Sequence, residues 1–223
     1  MASVVLTNAE LCTAAASDAA ALSRLYTAVF SGNAAYAYAS ACKTHADTLR
    51  FLLWLFHRRA AMLLSASCPF LLATAPGADR HIIGAVAILP FSKKPSIFQM
   101  IKLGLLAWPF LWGFRSLWRS LQLDATLKEV TRPTGPHGHL QAVGELTMMG
   151  VDPEQQKQGI GDHLLSAILK QWDQSERGGG LVLTTQVPYA PRFYARHGFV
   201  ELDVQTHHAQ GGYQNWVMYR PRQ

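Results

Sequence analysis

Apolar positions recur along the chain with different periods, and the changes of period mark its elements. After Ser17-Asp18, a pair suited to a helix start, Ala21, Leu22, Leu25 and Phe30 return at roughly helical spacing. A second helix is predicted over residues 47–64, where Leu49, Leu52, Leu53, Leu55, Phe56 and Met62 form one broad face. Two continuous apolar runs, 70–74 and 82–89, are joined by Ala75-Pro76-Gly77-Ala78-Asp79 and read as a strand hairpin. Residues 95–128 are apolar on several sides, with Phe98, Leu105, Leu106, Trp108, Phe110, Leu111, Trp112, Phe114 and Trp118. They read as a buried helix pair covering a sheet, as the wall of a pocket, or as a lipid-facing surface edged by Lys102, Arg115 and Arg119. Residues 132–138 are rich in Pro and Gly and read as a loop. A strand follows over 140–151, ending at Asp152-Pro153, and then Ile160, Leu164, Ile168 and Trp172, with Leu165 and Leu169, define one helical face.

Composition narrows the class. The 223 residues are 49% hydrophobic with a mean hydropathy of +0.07, which fits one globular domain over 1–223 and excludes disorder. Charged residues make up only 15%, so part of the apolar surface is expected to meet a ligand, a partner or a lipid. A net charge of +6 favours anionic partners. No like-charge block longer than Lys93-Lys94 or Arg58-Arg59 supports nucleic-acid binding. Cys12, Cys42 and Cys68 lack metal-ligand spacing, and a reducing, cytoplasmic setting fits them. The Ala- and Ser-rich, acid-poor residues 1–32 leave an organelle transit segment as the alternative. The charge-free stretch 103–114, broken by Pro109, is too short to span a bilayer.

The chemistry concentrates after the 140–151 strand. A turn holding Gly159 and Gly161 lets backbone approach a ligand without Cβ interference. Unpaired N–H groups at the following helix start favour an anion there, and Lys157 adds a cation at the rim. A P-loop would need a Gly-Lys-Ser/Thr ending, and a dinucleotide fingerprint a third glycine and an early strand; neither is present. The pattern Gln-x-x-Gly-x-Gly over Gln156 to Gly161, preceded by Val-x-Pro, resembles the central motif of the Gcn5-related N-acetyltransferase (GNAT) superfamily. A second match follows at the proper distance: a strand over 181–185, then residues 190–199, which resemble the family's short helix ending in Tyr-x-x-x-Gly-Phe. Residues 9–18, the 70–89 hairpin and 212–220 resemble the first, second, third and last strands. The strong motifs cover 144–220, whereas 95–139 carry no signature of the family.

The resemblance implies an α/β fold: a central mixed, mostly antiparallel sheet of six to seven strands flanked by helices, splayed between the fourth and fifth strands. The apolar helical segment around 95–130 is then an insertion. It also implies an acetyl-CoA-dependent N-acetyltransferase acting by direct transfer in a ternary complex. Backbone N–H groups of Gln156, Lys157, Gln158, Gly159, Ile160, Gly161 and Asp162 would hold the pyrophosphate, and Met149, Gly150 and Val151 would line the pantetheine arm and the oxyanion. Glu145 lies eleven residues before Gln156, the spacing of the glutamate base in histone-acetylating members, and burial beside apolar strand residues suits it to proton transfer. Tyr194 matches the tyrosine placed near the thioester sulfur as proton donor. Where relatives carry Asn, this chain has Val187, so that pantetheine contact is either lost or taken by Gln186. The expected acceptor is a small-molecule amine, with a peptide amine as the other option; no metal is expected, and the chain would act as a monomer or homodimer. A catalytically weak acyl-CoA sensor or scaffold of the same fold is the alternative. Peripheral membrane contact through 103–118 is compatible with either.

Overall fold

The computed structural model describes residues 9–77, 81–93, 96–130, 140–176, 178–207 and 212–223, without the side chains of 97, 124 and 126–130. The expected 132–138 loop and the end of the 75–79 turn lie outside the described residues. In chain order the elements are β1 (Glu10–Thr13), α1 (Ala19–Phe30), α2 (Ala34–Ser40), α3 (His45–Ser65), β2 (Phe70–Thr74), β3 (Ile82–Pro90), α4 (Ile97–Lys102), α5 (Trp108–Val130), β4 (Ala142–Val151), α6 (Ile160–Asp173), β5 (Gly180–Thr185), α7 (Ala190–Ala195), β6 (Val200–His207) and β7 (Tyr213–Arg220).

The strands form one seven-stranded sheet in the order β1-β2-β3-β4-β5-β7-β6. Only β4 and β5 run parallel; every other neighbouring pair is antiparallel. Continuous apolar runs in β2 and β3 arise because both faces of the sheet are covered. Alternate side chains divide between the layers: Phe70 and Leu72 pack with α1 and α3, whereas Leu71 and Ala73 pack with α6 and α7. Leu164 and Ile160 fill the α6 layer closely enough that a Cβ on Gly84 would stand 2.9 Å from Leu164 and 3.3 Å from Ile160.

Two irregularities in β4 create the site. Its pairing with β5 stops after Glu145↔Val182, while β5 continues alongside β7 as far as Thr185↔Trp216. The sheet is therefore splayed open where residues 146–151 leave β5. On the other edge, Thr147 faces Ala87 and Gly150 faces Ala85, so two β4 residues oppose the single Val86. Met148 takes up the extra residue at φ 50, outside the range β-strand residues prefer. Its carbonyl accepts a hydrogen bond from the Tyr26 hydroxyl of α1. A Cβ on Gly150 would meet the Tyr26 ring and Val29 at 3.2 Å, so the glycine permits α1 to lie against the bulge.

The apolar 95–128 segment does not form a helix pair over the sheet. One flank of α5 packs on α3, with Trp108 against Trp54 at 5.1 Å between ring centroids and Trp112 against Phe51 at 5.5 Å. The opposite flank faces outward, and α5 is kinked at Gly113, whose φ of 81 is non-helical. Arg119, expected at a surface edge, is instead 6% exposed. Its guanidinium lies 4.3 Å over the Tyr38 ring and donates to the Tyr38 carbonyl, which ties α5 to α2. Helix α2 escapes the periodicity reading because Ala34–Ser40 is two turns of small residues and tyrosine; Asn33 caps it by accepting from the Ala35 and Tyr36 N–H groups.

Candidate active site

A cleft of ≈ 1650 Å³ runs from the β4–α6 turn, past the splay, to α3 and α5. That is larger than the ~300–1,000 Å³ of a typical single-ligand pocket, and it gives room for two ligands end to end.

The turn is built by conformation. Beyond Asp152, whose carboxylate accepts the Glu154 N–H, a short 3-10 turn (Pro153–Gln155) leads to Lys157 at φ 64 and Gly159 at φ 82. Gly159 occupies the N-cap of α6 and offers no side-chain oxygen to the helix start. The first-turn N–H groups of Ile160, Gly161 and Asp162 have no intrahelical partner, and these residues line the cleft. A Cβ at Gly161 would stand 3.5 Å from Met149 and 3.6 Å from Phe193, ordinary contact distances. Packing does not require glycine there; the missing side chain keeps the cleft open.

Of the sequence-predicted binding residues, Met149, Gly150, Val151, Gln156, Lys157, Gly159, Ile160, Gly161 and Asp162 all line the cleft. Gln158 does not, and its amide donates to Gln155 at 3.2 Å. Gln156 reaches back to donate to the Val151 carbonyl at 3.2 Å, holding the turn against the strand end. The Asp162 carboxylate is engaged by His197 at 3.1 Å and Arg196 at 3.3 Å, which joins the start of α6 to the end of α7. His163 and His197 thus stand near the turn without any metal-binding group: among the described residues no cluster of His, Cys, Asp or Glu could hold a metal.

Tyr194 lines the cleft from α7, with its ring wedged edge-on between Phe193 at 5.1 Å and Phe199 at 5.8 Å. Burial holds its phenol well above the usual tyrosine range, so the group stays protonated and able to donate. Glu145 lines the cleft from β4, its carboxylate 3.6 Å from the Arg59 guanidinium of α3. The same Arg59 nitrogen donates to Thr147 at 3.1 Å. Arg59 thus sets a cation against the Glu145 carboxylate and fixes both Glu145 and Thr147 to α3. Val187 and Gln186 both line the cleft, and Gln186 donates to the buried Asn215 of β7 at 2.7 Å.

Sequence reasoning missed two participants: Tyr26, which clamps the bulge, and Arg59, which faces Glu145; of the three readings of 95–128, the pocket wall is the one that Leu105, Trp108 and Leu117 fit. Arg58-Arg59 stood out only as a charge pair, and nothing local connects Tyr26 to a strand 122 residues away.

Residues 127–201 match the family model described as an acetyltransferase (GNAT) domain. No curated protein matches the chain significantly. Among solved structures, the chain is similar to the histone acetyltransferase HPA2 and related acetyltransferase from Corynebacterium glutamicum, at 13% identity and a TM-score of 0.65, covering 97% of this chain and 98% of that one. It is similar to a GNAT superfamily phosphinothricin acetyltransferase from Sinorhizobium meliloti (16% identity, TM-score 0.55, 97% and 89% covered). It is also similar to a ribosomal-protein-alanine N-acetyltransferase from Brucella melitensis (17% identity, TM-score 0.51, 95% and 99% covered). At such identities the likeness is one of fold. The family-model match over 127–201 takes in β4, α6, β5 and α7, the part of the chain that carries the splay between β4 and β5.

Proposed function

We propose that the chain is an acetyl-CoA-dependent N-acetyltransferase that transfers an acetyl group to the primary amine of a small molecule, by direct transfer in a ternary complex. The observation that carries this reading is the uncapped start of α6, opening into a cleft beside the β4–β5 splay. First-turn amides suit a pyrophosphate, and Lys157 stands at the rim with matching charge. The unpaired edge of β4 from Met149 to Val151 suits an extended amide-bearing arm and the developing oxyanion. The S. meliloti relative was solved with AcCoA, which supports the choice of donor. The chain is read as one GNAT domain with the 95–130 helices inserted between β3 and β4.

Bound acetyl-CoA supplies a thioester whose carbonyl carbon takes the amine lone pair while the carbon–sulfur bond breaks. Glu145 accepts the proton that the amine must lose, directly or through water, and Arg59 holds the carboxylate in place. Tyr194 returns a proton to the departing sulfur, so the products are an amide and a free thiol. Leu55, Met62, Leu105, Trp108 and Leu117 line the acceptor end with apolar groups, which favours an amine attached to an apolar body.

Thermal unfolding with millimolar acetyl-CoA, followed by thiol release against a panel of amines, tests the reading. Stabilisation with release that Glu145→Gln abolishes supports it. No stabilisation removes the donor assignment altogether. Stabilisation without release from any amine, with Tyr194→Phe indistinguishable from wild type, makes the chain an acyl-CoA sensor.

A further inference from the structure

The outward face of α4 and α5 has no part in the proposed chemistry, yet it is the most apolar surface among the described residues. Phe110 is 85% exposed, Phe98 and Phe114 are each 73% exposed, and Trp118 is 65% exposed. Leu111 and Leu106 are exposed beside them. Phe114, Trp118 and Leu121 recur at helical spacing on one face beyond the Gly113 kink, while Phe110 and Leu111 sit on the turn before it. The outward position is not a failure of packing, because Trp108 and Trp112 of the same helix are engaged with α3. A water-exposed apolar patch of this kind marks an interaction site.

Charge identifies what it meets. All 14 Asp and Glu residues lie outside residues 80–123, a stretch that includes Lys102 and Arg115. Both are exposed on α4 and α5, whereas Arg119 is buried against Tyr38 and Lys93 donates to the Ser67 carbonyl. Over residues 97–123, short of Asp124 and Glu129 at the far end of α5, a second copy docking through this face would oppose like charges with no carboxylate among them. An anionic bilayer offers what the face lacks: negative headgroups for Lys102 and Arg115, and acyl chains for the aromatic side chains. No described helix is long and apolar enough to cross a membrane, so the contact lies in the interface.

We propose that the α4–α5 face rests on an anionic lipid surface, with Phe98, Phe110, Phe114 and Trp118 inserted among the acyl chains and Lys102 and Arg115 at the headgroups. Met100, Leu106 and Leu121 belong to both the exposed face and the cleft wall. Docking thus sets the acceptor end of the cleft at the membrane interface.

The test is co-sedimentation of the full chain with vesicles of phosphatidylcholine alone or mixed with phosphatidylserine. Binding to the mixed vesicles should be roughly tenfold or more tighter than to phosphatidylcholine and should weaken with added salt. Phe110→Glu combined with Phe114→Glu should abolish it while leaving the melting temperature and the turnover of a soluble amine unchanged, since neither side chain lines the cleft. Wild-type protein left in the supernatant with both vesicle types overturns the proposal, as does binding that survives the double substitution. A concentration-dependent dimer that the double substitution dissociates, with no vesicle binding, assigns the face to self-association and overturns it equally.

Discussion

At the donor end of the cleft the walls are largely backbone: the uncapped first turn of α6, the parted edge of β4 and a bulge at Met148. At the acceptor end they are side chains from helices far apart in sequence, Leu55 and Met62 of α3 meeting Trp108 and Leu117 of α5. Amides recognise a phosphate or an extended amide chain whatever the neighbouring side chains are, so one geometry serves any acceptor. Apolar side chains recognise only shape and size, and changing them changes the acceptor. The two ends therefore respond differently to substitution.

The largest effect expected falls where the ends meet. Tyr194→Phe keeps the ring between Phe193 and Phe199 and removes only the hydroxyl. Turnover should fall about 100-fold or more, the usual size of a general-acid contribution, with stabilisation by acetyl-CoA retained. A variant with wild-type turnover would place the proton donor elsewhere.

Gly161→Val separates the ends more cleanly. Its Cβ has room between Met149 and Phe193, so the unliganded protein should melt close to wild type, while the branches enter the donor site. At acetyl-CoA one hundred times its Kd, wild type should gain about 2.7 kcal/mol, and the variant should lose most of that gain. Equal stabilisation of both proteins would show that the α6 start does not hold the donor.

The β4–α6 end of the cleft was legible in the sequence because its turn constrains individual positions. Gly159 adopts φ 82, Gly161 leaves the cleft open, and both stand next to an amphipathic helix whose apolar period is unbroken from Ile160 to Trp172. The hairpin of β2 and β3 and the returning strands were legible for a similar reason, since turns and period are local. The acceptor end was legible only as one of three readings of 95–128. Gly113 breaks the phase of α5, so residues before and after the kink cannot be placed on one face by counting. Arg119 looked like a surface charge because nothing in its neighbourhood reveals Tyr38, 81 residues earlier. Arg59 and Tyr26 belong to the same class: each acts on β4 through a contact that only the folded chain creates.

Tyr26 offers a way to test how far the bulge depends on that distant contact. Tyr26→Phe leaves the Met148 carbonyl buried without its partner and should cost about 2 kcal/mol of stability at neutral pH, measured by urea unfolding. If the bulge shapes the donor site, the KM for acetyl-CoA should rise in the same variant. Unchanged stability and KM together would mean that the backbone holds Met148 at φ 50 without help from α1.

The same pair of proteins carries the smallest predicted effect, which isolates the buried phenol. Burial raises the Tyr26 pKa well above its ordinary 10.0, so the folded protein keeps the proton at pH values where the unfolded chain releases it. Above that ordinary value the unfolded state binds fewer protons than the folded state, and stability falls as pH rises. The full contribution is present below about pH 10 and is lost progressively toward the raised folded value. Between pH 10 and 11 the loss from one such tyrosine is about 1 kcal/mol. Other groups also titrate there, Tyr194 among them, but they do so in wild type and Tyr26→Phe alike. The stability difference between the two should therefore narrow by about 1 kcal/mol from pH 10 to pH 11, because only wild type pays for keeping this phenol neutral. A difference that stays constant over that interval would show that Tyr26 ionises as easily in the fold as in the unfolded chain, and that α1 does not seal the bulge from water.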